Sequence, residues 1–85
     1  MSEDKDVTYS PQLHDAMHEV VENQIKNGTP KETKITLDRL KQLGYTRHEA
    51  IHKIAAVLLE EIYHMEKNNR VFNEAKYIKK LNKLK

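Results

Sequence analysis

The chain has 85 residues, with 15 Lys+Arg against 13 Asp+Glu, 38% hydrophobic and 33% charged residues, five histidines and no cysteine. This length allows one small domain and excludes a large enzyme fold with separate cofactor and substrate domains. Without cysteine there is no disulfide framework or thiolate metal site, and no apolar run approaches the roughly 20 residues that span a bilayer.

Residues 1–9 are acidic and without periodicity, and read as a flexible tail rather than a signal peptide. The helical domain is expected over 10–85, with helices at about 11–27, 30–43, 47–66 and 73–84. Ser10 then Pro11 opens the first helix as N-cap and first-turn proline, and Asn27-Gly28 closes it. Its apolar face is Leu13, Met17, Val20, Val21 and Ile25. Thr29-Pro30-Lys31-Glu32 starts the second helix as a capping box, with Ile35, Leu37, Leu40 and Leu43 as a ragged apolar face. Gly44 stops it, and Tyr45 is placed to pack back. Thr46-Arg47-His48-Glu49 is another capping box and opens the longest, most apolar helix. Asn68-Asn69 breaks that helix. Phe72-Asn73 then reads as a hydrophobic staple and cap, with Phe72 meeting Tyr77. No stretch alternates with the period of a strand. The fold class is therefore all-α, a single bundle of three to four helices with short connections. Short connections favour antiparallel neighbours, with the first and third helices running the same way.

Two histidine pairs carry the chemical signal. His14-Asp-Ala-Met-His18 and His48-Glu-Ala-Ile-His52 share one spacing. Residues four apart stack on one helix face, so each pair presents two imidazoles together. In each pair the first histidine falls inside its helix's apolar arc and the second on the border, so both pairs aim at the core or its edge. The segments HDAMHEVVENQI and HEAIHKIAAVLL agree in pattern at an offset of 34, although the second and fourth helices do not align there. With the first and third helices in step, four imidazoles would converge in one layer. Neutral imidazole suits zinc, copper, iron or nickel. Glu22 extends the first stripe by one turn and would supply a carboxylate. The positive helix N-terminus opposes a cation there, so a metal needs Glu22 or a bound anion to compensate; the same geometry without metal suits an anion. The plainer alternative is a set of core-edge histidines bonded to each other, to Glu22 or to Tyr9. His64 falls on the opposite, polar face and reads as a surface residue.

His48-Glu49-Ala50-Ile51-His52 is also a literal HExxH, the zinc-peptidase pattern. It sits at the very start of its helix, Glu49 has a role in the capping box, and no strand is available to hold a substrate. No catalytic residue is assigned. Charge is uneven: Lys5 and Lys26 stand against six acids over 1–29, while six basic residues stand against Glu74 over 70–85. Lys76, Lys79, Lys80 and Lys83 share one face of the last helix, which reads mainly as a solvated face. Arginine is scarce and no aromatics interleave the lysines, which disfavours nucleic acid as a partner. The Leu40–Thr46 turn has the look of a helix-turn-helix, but the helix after it is too apolar to be a polar reader.

Several short motifs follow one another in order: Leu13-His14-x-x-x-His18, Glu22-Asn23-Gln24, Thr29-Pro30, Arg39-Leu40, Gly44 and His48-x-x-x-His52. After them come Leu58-Leu59-Glu60-Glu61-Ile62 and Tyr77-x-x-x-Leu81. Over residues 12–84 the chain resembles a bacterial family of small helical domains of unknown function that carry two HxxxH motifs. The resemblance implies no activity, and singles out His14, His18, Glu22, His48 and His52. Two readings stand at this point. One is a small cytoplasmic domain binding zinc or another divalent transition metal through the paired motifs, the site being structural if all four positions are filled. The other is a metal-free helical interaction module, acting as a homodimer or on a protein partner, or weakly on nucleic acid, through an apolar or Lys-rich surface, with no membrane role.

Overall fold

A computed structural model of the chain describes residues 11–85; the expected tail over 1–9, the Ser10 cap and Tyr9 lie outside the described residues. The fold is all-α. Its four helices are α1 (Pro11–Asn27), α2 (Lys31–Gln42), α3 (Arg47–Lys67) and α4 (Glu74–Lys83), and no strand occurs among the described residues. No helix there is long and apolar enough to cross a membrane.

The punctuation of the chain explains the helix ends. At the close of α1 the N–H groups of Gly28 and Thr29 both donate to the Gln24 carbonyl. The α2–α3 turn is a Schellman motif: Tyr45 N–H bonds Leu40 O, Gly44 N–H bonds Lys41 O, and Gly44 takes a φ of 110° that a side chain would resist. Tyr45 then packs against the core, as expected. The α3 capping box is complete: Thr46 Oγ1 accepts from Glu49 N–H at 3.1 Å, and Thr46 N–H donates to Glu49 Oε1 at 2.9 Å. Asn73 Oδ1 caps α4 through Lys76 N–H, and Phe72 meets Tyr77 with ring centroids 5.8 Å apart. The box expected at Thr29–Glu32 does not form. Pro30 is itself the N-cap, at φ −72° and ψ 151°, and no side chain caps the helix. That extended basin is where the proline ring is at ease, so α2 starts one residue later.

Ten residues make the core: Val21, Leu37, Leu40, Ala50, Ile51, Ile54, Ala55, Leu58, Tyr77 and Leu81. The apolar face expected for α2 is wrong in two places, since Ile35 is 50% and Leu43 58% exposed. The buried stripe is Thr33, Thr36, Leu37 and Leu40. Threonine offers a methyl to the core once its hydroxyl is bonded, and both hydroxyls are: Thr33 donates to Gln24 Oε1 at 2.8 Å and Thr36 to Leu81 O at 3.4 Å. Tyr77 O–H also donates to Gln24 Oε1, at 2.9 Å, so one amide oxygen joins α1, α2 and α4. Burial pushes the Tyr77 phenol above its ordinary value, with the Thr33 hydroxyl and the Gln24 amide beside it acting the other way. Arg39 ties α2 to the end of α4 through the carbonyls of Leu81 and Leu84.

α2 and α3 form the middle pair and each packs against every other helix. α1 does not lie alongside α3 in step with it, as short connections had implied. Along the histidine face the partners run in opposite order: Glu22 meets Arg47, His18 meets His48 and His52, and His14 meets His52. On the other side of α1, Val20 and Gln24 share a shallow groove with Leu58, Ile62 and Met65. α1 therefore crosses over α3. Crossing angles follow from how side-chain ridges seat in grooves, which loop length does not dictate.

Candidate metal centre

All four paired histidines come together, two from α1 and two from α3. Each pair owes its alignment to the four-residue spacing on a helix. The crossing of α1 over α3 then brings the pairs into contact. His18 is the hub. Its ring centroid lies 4.3 Å from that of His14, 5.4 Å from His48 and 5.6 Å from His52. His14 and His52 stand 5.3 Å apart. Ring nitrogens of His14, His18 and His52 all lie within 4.8 Å of one another, and His48 is not part of that tighter group. His14 and His18 are half-buried, whereas His48 and His52 are exposed. The α3 pair thus sits further out than its helix arc had implied.

His18 Nε2 and His52 Nδ1 are 3.4 Å apart. In this hydrogen bond one ring donates and the other accepts, the roles following the tautomers. It is long for that role, since N–H hydrogen bonds cluster near 2.9–3.0 Å. Burial holds the His18 imidazole below its ordinary value of 6.5, and His14, His52 and His48 push it the same way, with Asp15 opposing. The His18 ring is therefore biased toward its neutral form, the form that binds metals.

Glu22 is placed beside the cluster but its carboxylate is engaged. Arg47 grips it bidentately, at 2.6 and 2.8 Å. That bond is the main reason the Glu22 carboxyl sits below its ordinary value, and Arg47 is raised in turn. Sequence reasoning missed Arg47: a partner 25 positions away on another helix leaves no local signal. Glu49, the would-be base of the HExxH reading, is held in the capping box on Thr46.

Below the rings lies a small slot lined by His14, Met17, His18, His52, Ala55, Ala56 and Leu59. The space open to a water's centre is about 10 Å³, room for about one molecule. A second polar cluster stands apart from this one. Glu61 is 3% exposed and its carboxylate lies 2.6 Å from Lys80 Nζ, which also reaches Glu60 at 3.2 Å. Lys80 thus leaves the solvated face expected of it, while Lys76, Lys79 and Lys83 remain exposed. His64, expected at the surface, is half-buried with Nδ1 4.0 Å from the Glu61 carboxylate.

Over residues 3–83 the chain matches a family described as a domain of unknown function, DUF1841. The chain belongs to that family. No curated protein and no solved structure matches it.

Proposed function

We propose that this domain binds a divalent transition metal, zinc or one like it, through His14, His18 and His52, with His48 alongside. The observation that carries the reading is the convergence of three imidazole donors within 4.8 Å. Zinc–nitrogen bonds of about 2.0–2.1 Å put tetrahedral ligands about 3.3 Å apart. The His18–His52 separation of 3.4 Å already has that length. The third donor closes the remainder by turning its ring, which half-exposed side chains do at small cost. Glu22 does not ligate in this reading; it fixes Arg47 at the α3 N-terminus. The two HxxxH pairs are then the working mark of the domain, and the cytoplasm of a bacterial cell is the setting we assign to it.

The test is elemental analysis and thermal melting of tag-free protein. One equivalent of zinc and a rise in Tm are expected, with both lost in His14→Ala, His18→Ala and His52→Ala and retained in Glu22→Gln. Melting unmoved by zinc or by chelator would refute the reading. A second reading, a metal-free interaction module that self-associates or docks a protein, draws on the shallow groove of Val20, Leu58, Ile62, Met65 and Phe72. Its expected outcome is a concentration-dependent mass in light scattering, altered by Ile62→Asp and indifferent to zinc.

A further inference from the structure

We propose that the cavity between the end of α3 and the start of α4 binds a phosphoryl group, held by Arg70, Lys76 and His64. It lies toward the opposite end of α3 from the histidine cluster and requires no metal.

The cavity is polar. Glu61, His64, Asn68, Arg70, Asn73 and Lys76 line it, with Met65 and Val71. The space open to a water's centre is about 80 Å³. At about 10–15 Å³ for each water, that is room for several waters or one phosphate-sized group. One side is open to solvent, so the remainder of a phosphate ester can lie outside.

The chain turn sets the cations in place. Asn69 takes a φ of 55°, which asparagine tolerates, and Arg70 N–H then bonds Met65 O. Asn73 caps α4 through Lys76 N–H, so Lys76 stands in the first turn of that helix. The positive end of α4 therefore opens at the cavity. The opposing carbonyls at the end of α3 are occupied: those of His64, Met65 and Glu66 accept from the N–H groups of Asn68, Arg70 and Asn69.

The charges favour an anion. No acid pairs with Arg70 or Lys76 among the described residues. Glu61, the one acid in the lining, has Lys80 Nζ 2.6 Å away, and Lys80 also reaches Glu60 at 3.2 Å. Three cations thus stand against these two acids, and Glu60 is half exposed and screened by solvent. Glu74 is exposed and does not line the cavity. A phosphoryl group brings more charge and more acceptor oxygens to these scattered donors than a carboxylate does.

His64 joins the buried carboxylate to the cavity. Glu61 Oε2 is buried without a hydrogen bond, Lys80 being an ion-pair neighbour out of line for one. His64 Nδ1 stands 4.0 Å from the same oxygen. A small turn of the half-buried ring closes that gap. A protonated His64 then donates one N–H to Glu61 and offers the other to the anion, and both negative neighbours favour that charge.

Inorganic phosphate is the probe, titrated into tag-free protein in chloride buffer and followed by calorimetry and by NMR of the histidine rings. Saturable binding at millimolar phosphate is expected, moving the His64 signals, with acetate far weaker. Arg70→Ala and Lys76→Ala remove exposed side chains, so the fold and Tm should hold while phosphate weakens about tenfold or more. Lys83→Ala, on the same helix but outside the cavity, should change it by less than about twofold. Phenyl phosphate binding as phosphate does, without pelleting on phosphatidic acid vesicles, identifies a soluble ester as the source. Pelleting that is lost in Arg70→Ala identifies a lipid headgroup. No saturable binding, acetate as strong as phosphate, a loss in Lys83→Ala equal to that in Arg70→Ala, or signals moving at His14 and His18 instead of His64 would each overturn the proposal. None of these results bears on the metal reading.

Discussion

His18 is the residue on which the site turns, and its ionisation gives a pH-dependent stability. Its folded-state value lies below the ordinary 6.5 because burial and three neighbouring imidazoles penalise the charged ring. The unfolded chain therefore binds a proton more readily than the folded one. This contribution to stability is fully present above about 6.5 and is lost as pH falls through the lowered value. The metal-free protein should show a urea midpoint that declines below that pH. His18→Gln should flatten the decline; an equal decline in the variant would show that other groups cause it. Glu22 adds a shallower loss at lower pH, since its carboxyl is also held below its ordinary value by Arg47. That pair is about half exposed, so solvent screens it and its contribution is small.

At the scale of elements, two polar devices attach the outer helices to the middle pair. On α1 it is Gln24, whose amide oxygen accepts from Thr33 and Tyr77. On α4 it is Lys80, set against the buried Glu61 and the exposed Glu60. The Glu61 side chain is 2% exposed and that of Lys80 29%, so the pair is intermediate between a surface bridge and a buried one. Lys80→Ala strands a buried charge and should cost on the order of 2 kcal/mol, between the limits for exposed and buried pairs. Glu61→Leu combined with Lys80→Met should cost less than Lys80→Ala alone, because no charge is left behind. Urea unfolding of the three proteins checks the order. The complete capping box at Thr46 holds the start of α3, where two of the four histidines sit; Thr46→Ala should cost about 1 kcal/mol in the same assay.

The molecule as a whole is small, and an 85-residue chain buries a modest share of its surface on folding. A metal bridging α1 and α3 would add stability that the core does not supply. Leu40 is fully buried, and Leu40→Ala should lose about 2–5 kcal/mol from the cavity left behind. Zinc at a hundred times its dissociation constant adds back about 2.7 kcal/mol by mass action. The Leu40→Ala protein should therefore melt higher with zinc than without, and this recovery should vanish when His18→Ala is added.

The helices were legible residue by residue because their causes are local. Proline, glycine and capping side chains act within one turn, which is why Thr46–Glu49, Gly44-Tyr45 and Phe72-Asn73 do what their sequence implies. The pairing of His14 with His18 and of His48 with His52 was legible for the same reason, as four residues make one turn. What joins one helix to another was not. The burial of Thr33 and Thr36, the capture of Glu22 by Arg47, the pairing of Glu61 with Lys80 and the crossing of α1 over α3 all depend on partners far away in the chain. Local periodicity determined which histidines could act together; only side-chain packing between helices decided that both pairs meet, and that three of the four rings draw close around one point.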